Sequence, residues 1–419
     1  MIQVVQSGMR AGTIRVPASK STAHRLLIAA AFSKKPCTVF CKGVSKDIEA
    51  TAQCLNALGA KIEYDERTQA FSVRPVTQAP CVSADLYCGE SGTTLRFLLP
   101  LAAVLGVTAV FHREGLLSKR PMGPLVEELE KHGVQIRQEG DLLYCSGKLQ
   151  PGPFVMPGNI SSQFISGLLL ALPLADADSS LQITESIESE GYIAMTEQII
   201  ASSGVSFEKR GASYRIPGRQ CYSVPENVTV ESDWSSAAAF LCIGAMSDQG
   251  ISIPGMNLHS CHADRAILDV LQQFGAEVTT ENEKVTVRKK EMRAFAMDAS
   301  DAPDLVPVVS AMACSADGTT KIIHAERLRF KESDRLRSTV SLIRALGGEA
   351  EETADGLLIH GTGHLQGGTI DPANDHRIAM AAAVAASICT GEVRIQNSAC
   401  VGKSYPAFFE DFETLVILG

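Results

Sequence analysis

Eight cations, Lys20, Arg25, Arg96, Arg120, Lys331, Arg335, Arg377 and Lys403, stand in short polar stretches that open or flank apolar runs. Arginine presents a planar fork that grips carboxylate or phosphate bidentately, whereas lysine supplies a point charge that can also pass a proton. Small hydroxyl and amide residues accompany them at Ser21, Ser161, Ser162 and Gln163, and Gly92 leaves backbone bare ahead of Arg96. The set predicts substrates carrying several negative charges. Asp304 and Glu332 are interleaved with the cations, where neighbouring charge tunes a carboxyl for acid or base work. His376, beside Arg377, is a candidate ligand contact of the same set.

Composition narrows the class. The 419 residues carry 38 Lys plus Arg against 47 Asp plus Glu, a net charge of −9. A globally basic nucleic-acid binder is thereby excluded, because binding the phosphate backbone draws on a cationic surface. With 45% hydrophobic and 20% charged residues, the chain has material for packed cores, and its length predicts more than one domain. The longest uncharged stretches, 97–111 and 378–391, fall short of the roughly 20 residues that span a bilayer, so no membrane partner is expected. Met1–Arg10 shows no export signal, which predicts a cytoplasmic protein. The 12 cysteines form no CxxC pair, and His259, Cys261 and His262 lack further ligands at zinc spacing. No metal is expected.

The elements that must position these residues repeat. A helix ending in glycine and followed by a strand recurs with glycines at 59, 133, 204, 275 and 347, spaced by 74, 71, 71 and 72 residues, and a truncated sixth copy covers 408–417. A second helix recurs at the same period over 19–32, 91–106, 161–175, 233–246, 301–315 and 374–387. These are apolar around most of their circumference, hence interior, and open with Ser, Thr, Asn or Asp, the residues that cap helices. Strands are expected between them, among others at 13–16, 284–288 and 357–360. The fold expected is therefore α/β, with six βαβαββ-like repeats of about 70 residues, three per domain. Parallel buried helices would bring their N-termini, which favour anions, to one end.

In order and at repeat spacing, Ser19-Lys20-Ser21 with Arg25, Ser91-Gly92-Thr93 with Arg96, Arg120-Pro121, Ser161-Ser162-Gln163, Lys331 to Arg335, Asn374 to Arg377, and Lys403 resemble the EPSP synthase family of enolpyruvyl transferases over essentially the whole chain. The resemblance implies a two-domain inverse α/β prism, with domains 16–227 and 1–15 plus 228–419 and an active site in the cleft between them. It implies transfer of the enolpyruvyl group of phosphoenolpyruvate to the 5-hydroxyl of shikimate 3-phosphate by a monomer without cofactors. By that resemblance shikimate 3-phosphate contacts Lys20, Ser21, Arg25, Ser161, Ser162, Gln163, Ser189, Asp304 and Lys331. Phosphoenolpyruvate contacts Lys20, Gly92, Arg120, Gln163, Arg335, Arg377 and Lys403, with Arg96 and His376 in support. Asp304 is the expected base for the hydroxyl, Glu332 the acid for the methylene carbon, and Lys20 and Lys403 share the proton traffic. Gly92 implies sensitivity to glyphosate. Glu90 and Arg327 depart from the family pattern, since the family often has asparagine at the first position and some members place asparagine at the second. Two other readings stay open at this point: transfer to a UDP-sugar, and an anion-binding repeat protein without catalysis.

Overall fold

The repeated glycines are turns in the structure as well. In the computed structural model, which describes residues 1–76 and 82–418, Gly59, Gly133, Gly204, Gly275 and Gly347 have φ of +105°, +88°, +75°, +92° and +83°. Left-handed backbone ends a helix, and glycine adopts it without a Cβ penalty. At Gly275 the need is steric too, for a Cβ would lie 1.8 Å from the Glu291 carbonyl oxygen.

The α-helices of the described residues are α1 (Lys20–Ala31), α2 (Lys46–Ala57), α3 (Gly92–Leu105), α4 (Gly123–Lys131), α5 (Ser162–Ala171), α6 (Glu190–Ser202), α7 (Trp234–Met246), α8 (Ile267–Phe274), α9 (Val306–Ala313), α10 (Arg335–Ala345), α11 (His376–Ala386) and α12 (Phe408–Glu413). Odd-numbered helices are interior, and α7 and α11 are buried along their whole length. Even-numbered helices bury one stripe: in α8 it is Ile267, Val270, Leu271 and Phe274, the spacing of a single helical face. None of the helices is long and apolar enough to span a membrane.

Two compact units result, Ala18–Val230 and Met1–Pro17 with Glu231–Gly419. Each has its own apolar core built on its odd-numbered helices. Among the described residues each unit holds three sheets: four of the six are four-stranded with one recurring order, one adds a fifth strand to that order, and one has three strands. In Ser83–Gly89, Thr108–Arg113, Leu142–Ser146 and Gln135–Glu139 the first pair is parallel and the following two are antiparallel. The chain changes unit at Pro17/Ala18 and Val230/Glu231, slightly beyond the Val16 and Val228 read from sequence, because Asn227–Thr229 still pairs with Cys37–Phe40.

Several boundaries also moved. The strand expected at 13–16 is Arg10–Thr13, paired with both Ile251–Pro254 and Val416–Ile417. The helix expected over 161–175 ends at Ala171 and tightens into a 3₁₀ turn at Leu172–Leu174 that contains Pro173. The fifth interior helix starts at Val306 rather than Asp301, after a 3₁₀ turn at Pro303–Leu305. Proline suits such a first turn, where its missing N–H costs nothing. The sixth begins at His376, capped by Asp375.

Pro100, inside α3, lacks the N–H that would bond the Arg96 carbonyl. Gly167 of α5 packs there, where a Cβ would lie 2.4 Å from the Arg96 oxygen and 3.2 Å from Pro100 Cγ. Backbone cannot yield as a side-chain tip can. Gly167→Ala is therefore expected to cost about 1–3 kcal/mol by overpacking, more than alanine's propensity gain of about 1 kcal/mol. Urea unfolding followed by far-ultraviolet circular dichroism checks this, and unchanged stability would refute it.

Candidate active site

In the Ala18–Val230 unit, serines set the starts of three interior helices. Ser19 and Ser91 accept the backbone N–H of Thr22 and Thr94, each at 3.2 Å, and Ser161 accepts that of Gln163 at 3.3 Å. These caps place Lys20 and Ser21 in the first turn of α1, Gly92 in that of α3, and Ser162 and Gln163 in that of α5. Lys20 Nζ meets Asp47 of α2 at 2.8 Å. Gly92 has a specific reason to be glycine, for a Cβ would sit 2.7 Å from Nη1 of Arg120.

Arg96 donates from Nη1 to Gln163 Oε1 at 2.7 Å and from Nη2 to the Pro121 carbonyl at 3.0 Å. The Gln163 amide then donates to Thr93 Oγ1 at 2.9 Å, so its orientation is fixed at both ends. Arg25, only 2% exposed, donates to Thr196 Oγ1 at 2.7 Å and to the carbonyls of Ser21 and Tyr192 at 2.6 and 2.9 Å. Burial pushes its guanidinium down to about 10, and most of its fork already serves the protein. Ser189 precedes α6 with φ +55°, a left-handed conformation that costs a non-glycine residue energy and recurs at functional sites.

The other unit concentrates charge. Arg335 is 1% exposed and grips three carboxylates: Nε meets Asp375 Oδ2 at 2.8 Å, Nη1 meets Asp304 Oδ1 at 2.8 Å, and Nη2 meets Glu332 Oε2 at 2.7 Å. Asp304 also receives Lys331 Nζ at 3.5 Å and Arg377 Nη2 at 3.4 Å. Burial raises the Asp304 carboxyl, but Lys331, Arg335, Arg377 and His376 together bring it well below the usual carboxylate range. Burial lowers the Lys331 ammonium, partly offset by Asp304. For Arg335, burial is outweighed by Asp375, Glu332 and Asp304, which hold the guanidinium firmly charged. Lys403, at the end of a 3₁₀ turn, donates to the Asn374 carbonyl at 2.6 Å. That carbonyl is presented by two successive left-handed residues, Ala373 and Asn374, with φ +52° and +57°. His376 is buried beside Asp375, with Nδ1 3.9 Å from Oδ1.

The structure thus brings Lys20, Ser21, Arg25, Gly92, Arg96, Arg120, Ser161, Ser162, Gln163 and Ser189 into one unit, and Asp304, Lys331, Glu332, Arg335, His376, Arg377 and Lys403 into the other. Sequence reasoning missed two carboxylates. Asp47 holds Lys20, and its only local signal is an acid in the first turn of α2. Asp375 is wholly buried and accepts from Arg335, from Ser333 Oγ at 3.1 Å and from the Arg377 N–H at 2.9 Å. Its signal was its place as helix cap directly before His376 and Arg377. Ser91, not Glu90, caps α3, and the Glu90 carboxylate lies over Gly115. Arg327 donates to the Ser300 carbonyl at 2.7 Å. His262 caps a 3₁₀ turn, accepting the Asp264 N–H at 3.1 Å.

The family profile described as EPSP synthase (3-phosphoshikimate 1-carboxyvinyltransferase) matches residues 5–412. The 3-phosphoshikimate 1-carboxyvinyltransferase of Clostridium kluyveri is 39% identical over 409 residues, covering 96% of this chain and 95% of that one. Its namesake from Methanocorpusculum labreanum is 34% identical over 418 residues, covering 98% of each. The solved EPSP synthase of Acinetobacter baumannii superposes with a TM-score of 0.82 at 25% identity, over 99% of this chain and 98% of that one. Motifs, repeated two-unit α/β fold and near-complete coverage lead to one assignment: the chain belongs to the EPSP synthase family of enolpyruvyl transferases.

Proposed function

We propose that the residues of the two units serve one reaction, the family's transfer of the enolpyruvyl group of phosphoenolpyruvate to the 5-hydroxyl of shikimate 3-phosphate with release of phosphate. The carrying observation is Arg335, which holds the intended base, Asp304, and the intended acid, Glu332, at 2.8 and 2.7 Å. Against the raising effect of burial, Lys331, Arg335 and Arg377 hold the Asp304 carboxyl well below the usual carboxylate range, which weakens it as a base. The carboxylate of phosphoenolpyruvate competes for the Arg335 fork, and each carboxyl that loses a counter-charge binds a proton more readily. Substrate binding thereby prepares both groups for proton transfer.

Glu332 delivers a proton to the methylene carbon, which makes C2 cationic in character. The shikimate hydroxyl adds to C2 and gives its proton to Asp304. A proton then leaves the new methyl group, returning to the Glu332 carboxylate, as the bond from C2 to phosphate breaks, and the departing phosphate takes up the hydroxyl proton held by Asp304, so both carboxyls are reset. Lys20, Arg120, Arg377 and Lys403 stabilise the charge that grows on the departing phosphate. Lys20, Ser21, Arg25, Ser161, Ser162, Gln163, Ser189, Asp304 and Lys331 take shikimate 3-phosphate, with Arg96 orienting Gln163. Protons pass only among side chains and substrates, so no step calls for a metal or organic cofactor. The enzyme acts as a cytoplasmic monomer in this reading, which size-exclusion chromatography with light scattering checks for oligomeric state.

Phosphate release from phosphoenolpyruvate with shikimate 3-phosphate, and none with UDP-N-acetylglucosamine, is the expected result. The reverse pattern would favour transfer to a UDP-sugar, and no release with either would leave an anion-binding protein. Gly92→Ala should displace Arg120 and raise KM for phosphoenolpyruvate about tenfold or more, the loss expected of a charged hydrogen bond. Because only a flexible side-chain tip is in the way, the melting temperature should hold. Inhibition by glyphosate, an anion expected at the same place, should weaken in parallel. An unchanged KM would remove Gly92 and Arg120 from the phosphoenolpyruvate site.

A further inference from the structure

A buried chain of hydrogen bonds lies behind the first turns of α1, α2 and α3. His24 of α1 is wholly buried, and its Nδ1 is 2.7 Å from Thr51 Oγ1 of α2. Thr51 Oγ1 is 2.7 Å from Thr94 Oγ1 of α3. Thr94 Oγ1 donates to Ser91 Oγ at 2.7 Å, the same oxygen that caps α3 by accepting the Thr94 N–H. Proton counting fixes the direction of this chain. A hydroxyl carries one proton, and both acceptors of the Thr94 proton, Ser91 Oγ at 2.7 Å and the Asp47 carbonyl at 3.5 Å, lie away from Thr51. Thr51 must then donate to Thr94, and it can only accept from His24.

The imidazole is therefore protonated on Nδ1. Its Nε2 is buried without a hydrogen-bond partner among the described residues, so a second proton there would be a buried donor with no acceptor. Burial, with Lys20 and Arg25 adding like charge, also keeps the ring neutral. His24 thus heads a one-way relay, His24 to Thr51 to Thr94 to Ser91, that ends one residue before Gly92.

We propose that His24 is a positioning residue for phosphoenolpyruvate: through Thr51 and Thr94 it fixes the Ser91 cap and with it the backbone at Gly92 on which Arg120 rests. This rests on the reading that Gly92 and Arg120 receive phosphoenolpyruvate. The relay also passes Asp47, whose carbonyl lies 3.5 Å from Thr94 Oγ1 and whose carboxylate holds Lys20. Two phosphoenolpyruvate contacts on two helices are in this way referred to one buried ring.

Asparagine places an amide nitrogen where histidine has Nδ1, whereas leucine matches asparagine in shape and donates nothing. The test is steady-state kinetics and thermal melting of His24→Asn, His24→Leu and Thr94→Val, with Gly92→Ala alongside. His24→Leu and Thr94→Val should raise KM for phosphoenolpyruvate about three- to tenfold, the size of one neutral hydrogen bond. KM for shikimate 3-phosphate should stay within twofold, and His24→Asn should restore the parent value. Equal rises in both KM values, a melting change without a KM change, or His24→Asn behaving as His24→Leu would each overturn the proposal. Should His24→Leu fail to fold, Thr94→Val decides alone through the same split between the two KM values. Gly92→Ala separates two failures. If it leaves KM for phosphoenolpyruvate unchanged, the underlying site reading is wrong; if it raises KM while the relay variants do not, the relay alone is wrong.

Discussion

Glu332→Gln is expected to lower kcat by about 10² to 10⁴, the contribution of one positioned acid, while both substrates still bind. Glutamine keeps the length of the side chain and an oxygen that can accept from Arg335 Nη2, now 2.7 Å from Glu332 Oε2. It cannot give a proton to carbon. Single-turnover kinetics with isothermal titration of each substrate separate the two effects. Unchanged turnover would remove Glu332 from the chemistry, and lost binding with normal single-turnover rates would recast it as a contact residue.

Arg335→Met should have a double effect. Removing one partner of a buried ion pair leaves uncompensated charge and costs about 3–5 kcal/mol, and here three carboxylates, Asp304, Glu332 and Asp375, lose the same cation. The chain's single tryptophan, Trp234, is buried in the same unit. Its fluorescence during urea titration therefore reports that unit, and its midpoint should fall markedly. Activity under native conditions should be nearly abolished, because Asp304 and Glu332 lose both their alignment and the group that exchanges with phosphoenolpyruvate. Arg335→Lys should recover part of the stability but little of the rate, since a point charge cannot reach three acceptors in one plane. A Trp234 midpoint that does not move would show the guanidinium to be dispensable to the fold of its unit.

Local order was readable along the chain. Ser19, Ser91, Ser161, Asp233 and Asp375 cap interior helices through bonds that span two or three residues. Interactions of that reach are written in consecutive positions, as is the 3.6-residue stripe of α8. The repeat period followed from the same glycine turns. Where the reading slipped, at Asp301, at 172–175 and at 13–16, proline or pairing with a distant strand set the boundary instead.

Charge types were legible too, but not their pairing. The net −9 concealed eight cations that the sequence already placed at repeat positions. Nothing in the order of residues says that Lys20 faces Asp47, 27 positions on, that Arg96 holds Gln163, 67 on, or that Arg335 closes on Asp375, 40 on. The sequence by itself determined the repeat, the helix starts and the chemical kinds available at them, because capping and periodicity act within about one helical turn. Only the tertiary structure decided which carboxylate meets which cation and which of them are dry, because those depend on how the repeats stack and on burial, through which Coulomb energies gain their strength.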